Sequence, residues 1–585
     1  MPKKRSFLKS LLEFDNSASL SFLLMGITLL TKFLGLAYQV IVVNTLGLAH
    51  YDLALFDTAS VIPDMLSTIL LIGSISAAVV PVLSYVRANK GEEKFYQTFV
   101  EGLKIFFLLF SVFAFFVILF TPNIMNLVLD WTVKTNNPFD DIEKFNELVL
   151  FVRLLILPQV ILGVSAFFIA GLNSIKKFII PQLTGLFYNL GQILGVVAII
   201  PIFHVRPIWG IVIGTFLASI FHLVIQIPIL RNTEYWSHIK REVFSLNFIF
   251  MDENGYSPAY QMIRLSIPKI LSSGIEFVMN KYFVLYALFL GIVAQQRYYY
   301  ASSLMMIPFS MFVQSFVVVA FPTMSKSFAD GDREEFQNVF QKTVNKILFY
   351  VVPVTMIFLI LRIPIVRITF GMYPGRGLFT WEDTIAIAYI LFFFSIGLIP
   401  DVINVVISRV YFAAQNTALS LIVNIFLVVL SVFFAQFFTS YFSHFASLNF
   451  EDIKLNFEYV FSPDTFTPNT AAQVGGIAFG ISLANIVIFF VNCIVLNYKY
   501  FKLSSSDFWI KLLNKLVAGA IMALFMYVIA KFWEINVETT TVLGLIISTF
   551  GTVSFGLFGY IFASLLLKVE EVYYIKSKFS ELLYV

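Results

Sequence analysis

Long apolar runs separated by short polar breaks organise this sequence from end to end. A helix of about 20 apolar residues crosses the hydrocarbon core of a bilayer. Runs of that order lie at Ala18 to Leu46, Leu55 to Val86, Gly102 to Phe120, Leu148 to Leu172, Phe178 to Phe203 and Ile208 to Leu230. Six more lie at Ala259 to Leu290, Tyr298 to Phe321, Val344 to Leu361, Thr384 to Ala414, Leu419 to Phe437 and Gln473 to Leu496. Trp509 to Ala530 and Val542 to Leu567 complete about fourteen expected spans. Several exceed the length needed to cross and are expected to tilt, bend or project.

The runs repeat. Ile62-Pro63 returns as Ile307-Pro308, and Pro81 to Ser84 as Pro322 to Ser325. Gly91 to Phe95 returns as Gly331 to Phe336, and Ala170 to Asn173 as Ala413 to Asn416. Each match has an offset of about 240 residues and the equivalent place in a set of six spans. Six is even, so the two sets share orientation, and a parallel repeat in a transporter puts the substrate path between its halves. The expected fold class is an all-α polytopic membrane protein of about fourteen transmembrane helices: two parallel six-helix repeats forming two lobes, plus two C-terminal helices. Its parts would be a cytoplasmic N-terminal segment at 1–17, a first lobe at 18–231 and a cytoplasmic linker at 232–258. A second lobe at 259–497 would carry an external loop at 438–472, and 498–585 would hold the last two spans and a cytoplasmic tail.

Composition agrees with lipid as the solvent. Hydrophobic residues make up 59% and charged residues 13%, against about 25% charged in soluble chains; mean hydropathy is +0.86. The net charge of +4 is small and implies no nucleic-acid partner. The single cysteine, Cys493, excludes an internal disulfide and a thiol metal site. The N-terminus is basic at Lys3, Lys4, Arg5 and Lys9, and the first run is read as a retained span, not a signal peptide. Alternate loops carry Arg87, Lys90 and Lys94; Lys176 and Lys177; Arg231, Lys240 and Arg241; Lys326 and Arg333; Lys499 and Lys502. By the positive-inside rule both termini are expected in the cytoplasm. The six tryptophans fall at expected span ends, as an interfacial belt would place them.

Ionisable groups inside a span are costly and point to function. Thr28, Lys32, Gly35 and Gln39 share one face of span 1. Asp57, Ser60, Asp64 and Thr68 share a face of span 2, with its two acids about 10 Å apart along a straight helix. Lys269, Ser273, Glu276 and Asn280 share a face of span 7, with Lys281 beside it. The stripes either line one hydrated cavity or neutralise one another as buried pairs such as Lys32 with Glu276. Asp401 and Asn404 in span 10 and Asn485 in span 12 are weaker signals. Pro63, Pro268 and Pro308 lie beside these stripes and permit bends. No metal-ligand cluster, phosphate-binding glycine loop or nucleophile elbow is present, so no enzyme, metal or cofactor is expected. Without a nucleotide motif, active transport must draw on an ion gradient or the membrane potential; Asp57, Asp64, Glu276 and Asp401 are the candidate coupling acids, for Na+ or H+.

Several segments resemble the MurJ/MviN family. They are Leu34 to Leu36, Ile62-Pro63, Gly73 and Pro81; Asn173, Phe178, Pro181 and Asn189; and Pro322 to Phe336. Phe370-Gly371 with Gly377 to Thr384, Tyr411 to Thr417, and Gly475 to Ala478 leading to Ser482 continue the order through span 12. The resemblance implies a fourteen-span flippase that moves lipid II, the undecaprenyl-diphosphate-linked cell-wall precursor, between leaflets of the bacterial cytoplasmic membrane. It implies a lipid-linked oligosaccharide and membrane lipids as partners, with the peptidoglycan-synthesis machinery a further candidate. The family's cavity charges depart here: its Arg-Asp of span 1 stands as Tyr38 and Gln39, its Arg pair of span 2 as Ser67 and Thr68, and its Asp-Arg of span 8 as Ser302 and Ser303. Lys32 keeps a basic place. These positions, with Lys32, Lys269 and Lys281, form the candidate substrate-binding set. Arginine suits a diphosphate through bidentate contacts, so another polyprenyl-linked glycan, a multidrug or cation exporter, and a non-transporting scaffold remain alternatives.

Overall fold

The computed structural model describes residues 17–68, 79–132, 137–231, 235–242, 251–252, 255–372, 377–414, 416–445, 468–501, 506–537 and 541–573. Helices occupy nearly all of them. Eleven are long and apolar enough to cross a membrane, and they correspond to every expected span except 2, 7 and 8. Span 7 is nevertheless one helix, Pro258–Phe289, started by Ser257, whose side chain accepts from the Tyr260 N–H. A two-residue antiparallel β-ladder, Met251–Asp252 with Gly255–Tyr256, is the one departure from all-α structure among the described residues.

Helices run past the apolar bounds because polar caps, not hydropathy, stop them. Span 9 is Arg333–Phe370, begun by Asp332 accepting from the Glu335 N–H at 2.9 Å. Span 10, Trp381–Ala413, starts at Thr380, which exchanges bonds with Asp383 in a capping box. Spans 11 and 12 are Thr417–Phe445 and Pro468–Lys499, so both ends of the expected external loop 438–472 are helical. The basic loop after span 2 is also a correction: helix Val80–Thr132 continues through it on either side of Gly91. Gly91 has φ +87°, a conformation glycine adopts without Cβ strain, so one residue makes the turn.

The molecule divides into two compact units, Met1–Ile292 and Val293–Val585. Unit 1 therefore takes in span 7 as well as spans 1–6.

Repeat-equivalent features recur inside the units. Pro63 cannot donate to the Ala59 carbonyl and its ring crowds it; the chain breaks at Ser60 between helices Tyr51–Ala59 and Val61–Leu66. Pro308 is followed by a π-turn at Phe309–Val313. In unit 1, spans 5 and 6 meet through glycines. A Cβ on Gly191 would lie 2.3 Å from the Ala218 nitrogen, and one on Gly195 would lie 2.4 Å from the Gly210 oxygen. In unit 2, spans 11 and 12 meet the same way: a Cβ on Gly480 would lie 2.4 Å from the Ala435 nitrogen. Such close backbone approach is the usual adhesive between helices in lipid.

The ends of the spans group as alternation demands. At one end of unit 1, the linker helix Tyr235–Glu242 docks on the turn after span 2 and the end of span 4. Tyr235 is fully buried, donates to the Gly171 carbonyl at 2.7 Å and packs on Phe95, Tyr96 and Phe99. His238 stacks on Tyr96 and lies 3.5 Å from Glu93. The starts of spans 2, 4 and 6 gather at another charge cluster, described below.

Candidate functional site

Span 2 carries acids on both sides of its break. Asp57 sits before Ser60 and Asp64 after it, both half-buried. The helix is interrupted at Ser60 between them, beside the Pro63 from which a bend is expected. Ser60 Oγ donates to the Asp57 carbonyl and Ser67 Oγ to the Asp64 carbonyl, each at 3.0 Å. Asp64 Oδ2 accepts from Lys281 Nζ at 2.8 Å, which ties span 2 to span 7 within unit 1. The two side chains are 39% and 23% exposed, so the pair is accessible from outside the protein packing. Lys281 also lies 5.7 Å from the Phe277 ring centre, a cation–π distance.

Span 1 lies against span 5. Thr28 Oγ1 accepts from Gln182 Nε2 at 2.6 Å, Asn189 Nδ2 donates to the Thr31 carbonyl at 2.8 Å, and Gly35 makes room for Asn189. The stripe is thus partly a packing seam, and Tyr38 packs against Val42, Leu46, Leu53, Val196 and Ile211. Gln39 is half-buried. Lys32 is exposed, and among the described residues no carboxylate pairs with it. Thr68 is half-buried. The side chains of Lys269, Ser273 and Glu276 lie outside the described residues, and so does any pairing of Lys32 with Glu276.

In unit 2, Ser302 and Ser303 donate to the carbonyls of Tyr299 and Tyr300, each at 2.9 Å. Asp401 is half-buried. Asn404 belongs to a buried network: it donates to the Asn485 carbonyl at 3.0 Å and accepts from Asn492 at 3.0 Å, while Tyr411 donates to Asn492 at 2.8 Å. That network joins spans 10 and 12, as an isolated intramembrane Asn usually does.

Two ion clusters were not legible in the sequence. In unit 1, Asp52 is 1% exposed and accepts from Arg206 Nε at 2.8 Å and from the Ile208 N–H at 3.1 Å. Arg206 also bonds Glu147, so the starts of spans 2, 4 and 6 are clamped together. Burial pulls the Arg206 pKa down, but the bonds to Asp52 and Glu147 outweigh it and the net shift is upward. Burial, then Glu147, pushes the neighbouring Tyr51 hydroxyl well above its ordinary range. In unit 2, Arg297 at the start of span 8 is 6% exposed and donates to Asp383 at 2.9 Å and Glu382 at 3.1 Å at the start of span 10. Asp52, Glu382 and Asp383 sit in the first turn of their helices, where each reads as an ordinary helix-start residue. Only the contact across 154 or 86 residues reveals its partner.

Comparison with known proteins converges on one family. The family model described as "Lipid II flippase MurJ" matches residues 42–447. "Probable lipid II flippase MurJ" of Buchnera aphidicola subsp. Baizongia pistaciae is 22% identical over 568 residues, covering 94% of this chain and 97% of that protein. The Vibrio cholerae protein of the same name is 24% identical over 420 residues, 71% of this chain and 76% of that one. Among solved structures, a lipid II flippase MurJ in an inward closed conformation aligns with a TM-score of 0.68 at 19% identity, covering 94% of this chain and 99% of that one. An inward-facing multidrug MATE transporter of the MOP superfamily aligns at 0.58 and 14% identity, covering 81% and 98%. These two likenesses establish the fold.

Proposed function

The chain belongs to the lipid II flippase MurJ family, and from that premise we propose that it carries lipid II from the inner to the outer leaflet of a bacterial cytoplasmic membrane by alternating access. The observation that carries the mechanism is the Asp64–Lys281 pair joining spans 2 and 7. A diphosphate offers Lys281 more than one negative charge and competes with Asp64 for it. Lys32, exposed and without an acidic partner among the described residues, supplies a second cation. Release of Asp64 leaves a carboxylate without its counter-ion, which then favours a proton or Na+. Substrate binding is thereby linked to a coupling ion, and the membrane potential acts on the charge that moves. Asp57, Glu276 and Asp401 are the further coupling candidates; Lys269, Tyr38, Gln39, Ser67, Thr68, Ser302 and Ser303 complete the proposed substrate contacts. The termini are assigned to the cytoplasm by the Lys/Arg asymmetry.

One observation favours another headgroup or an exporter. The hydroxyls of Ser67, Ser302 and Ser303, at places where the family carries charge, donate to carbonyls of their own helices. They offer a phosphate no spare donor.

Complementation of a strain depleted of its own lipid II flippase tests the proposal. Wild type should restore growth; Lys32→Ala and Lys281→Ala should accumulate in the membrane yet fail. Failure of the wild type at normal expression would reject the substrate, and growth with both lysines removed would reject the site. Cysteines at Asn89 and Asn456, in a background lacking Cys493, test sidedness. An impermeant thiol reagent on intact cells should label the second and spare the first; the opposite pattern inverts the topology.

A further inference from the structure

Spans 4, 5 and 6 of unit 1 include the helices Ile142–Ser174, Ile179–Leu194 and Pro207–Val224. Residues 154–175, 178–203 and 207–230 contain no Asp, Glu, Lys or Arg. His222 and Tyr188 are the only ionisable groups in those stretches, and the proposed cycle uses neither. A polar group kept at such depth points to function.

Ser165 of span 4 is fully buried against His222. Its Oγ lies 2.7 Å from His222 Nδ1 and 3.2 Å from the His222 carbonyl. It also accepts from Gln226 Nε2, which donates to the same carbonyl at 3.0 Å. The hydroxyl has one proton and two acceptors to offer it to. It donates to Nδ1 when that nitrogen is bare, and accepts from Nδ1–H when its own proton turns to the carbonyl. Nδ1 is therefore bonded in either neutral tautomer and in the imidazolium, so Nε2 can gain or lose a proton without breaking a bond. Gln226 Oε1, buried without a donor among the described residues, adds a spare acceptor dipole beside the ring. Tyr188 of span 5 meets the His222 ring edge to face, with centres 6.2 Å apart, and the charge of Asp64 acts on the Tyr188 hydroxyl. Helix Val61–Leu66, which carries Asp64, packs against span 4. Asp52 and Asp57 belong to helix Tyr51–Ala59, which holds the start of span 6 at Ile208; His222 is about 21 Å further along that span. The groups facing His222 are thus Ser165, Tyr188 and Gln226, with Asp64 beyond Tyr188.

We propose that Tyr188 and His222 carry the coupling proton from Asp64 to the cytoplasm, which makes H+ the coupling ion; this deepens the function proposed above and rests on it. Once the diphosphate has left, a protonated Asp64 must lose its proton before it can pair with Lys281 again. Asp64 gives that proton to the Tyr188 oxygen as the Tyr188 O–H proton passes to His222 Nε2. Asp64 is left a carboxylate, Tyr188 a phenol as before, and His222 an imidazolium whose Nδ1–H is held by Ser165. The imidazolium then returns one proton to water on the cytoplasmic side, and histidine is the side chain whose ordinary range suits such a shuttle.

Proteoliposomes of the full-length protein, loaded with a pH-sensitive dye and carrying fluorescent lipid II, test this. Two movements are compared: net movement under an imposed pH difference, and one-for-one exchange of labelled for unlabelled lipid II, which needs no return of the empty protein. Wild type should do both, and its net movement should carry protons the opposite way. Tyr188→Phe and His222→Asn should lose far more of the net movement than of the exchange. Asparagine keeps a polar atom at the Nδ1 position for Ser165 but cannot titrate, so a packing role alone would leave His222→Asn like wild type. Wild-type pH dependence in His222→Asn, equal loss of the two movements, or net movement driven by Na+ and indifferent to pH would each overturn the proposal and leave the lipid II reading standing. Neither movement by the wild type would defeat that reading, and this inference with it.

Discussion

Lys281 and Arg206 both pair with an aspartate, yet burial gives the two pairs different work. Asp52 is 1% exposed and takes an additional bond from the Ile208 N–H. Removing its guanidinium leaves a buried carboxylate nearly uncompensated, at a cost of about 3–5 kcal/mol. Arg206→Ala should therefore lower the yield and melting temperature of purified protein sharply; an unchanged melting curve would show that the clamp is not structural. Asp64 and Lys281 are accessible, so their coupling should be smaller, about 1 kcal/mol. A thermal-unfolding double-mutant cycle on Asp64→Asn and Lys281→Ala should find that modest coupling, with the double variant no less stable than Lys281→Ala. Coupling above about 3 kcal/mol would mark the pair as a permanent strut. Asp64, Lys281 and Lys32 were legible because a charge in the middle of an apolar run breaks its pattern. Asp52, Glu147, Arg206 and Arg297 were not, because at the end of a run a charge breaks nothing.

Helix positions followed from hydropathy, and so did some helix ends but not others. Span 7 was expected at Ala259 to Leu290 and is Pro258–Phe289. Span 9 was expected from Val344 but begins eleven residues earlier at Arg333, since Asp332 caps it. The prolines of the repeat were visible in sequence, and their effect on the backbone at Ser60 and at Phe309–Val313 followed the missing N–H. The glycine seams went unread because Gly191, Gly195, Gly210 and Gly214 only gain meaning when the facing backbone is known. They make a direct prediction. Gly195→Leu and Gly480→Leu meet backbone atoms at 2.4 Å, which cannot yield as a side chain can, so folded protein should be largely lost from the membrane fraction. Gly26 has open space around its Cβ position, and Gly26→Ala should express as wild type. Normal expression of both leucine variants would show that these helices pack differently in the bilayer.

At the scale of the molecule, the repeat of six spans and the two compact units do not coincide, because span 7 packs inside unit 1. That placement lets Lys281 of span 7 reach Asp64 of span 2, and it gives the first helix of the second six-span set a role in the first unit's charge balance. The fold, its family and the repeat were readable from pattern and motif order. The pairing of Asp64 with Lys281 was not readable, because it is a contact across 217 residues between two helices. The central proposal is that this pair opens when a lipid-linked diphosphate takes the lysine. Proteoliposomes containing fluorescent lipid II, with an imposed proton, sodium or potential gradient, measure that most directly. Wild type should move lipid II in a gradient-dependent manner, and Lys281→Ala, folded and inserted equally well, should not. Gradient-dependent movement by Lys281→Ala at the wild-type rate, or none by the wild type under any gradient, would contradict it.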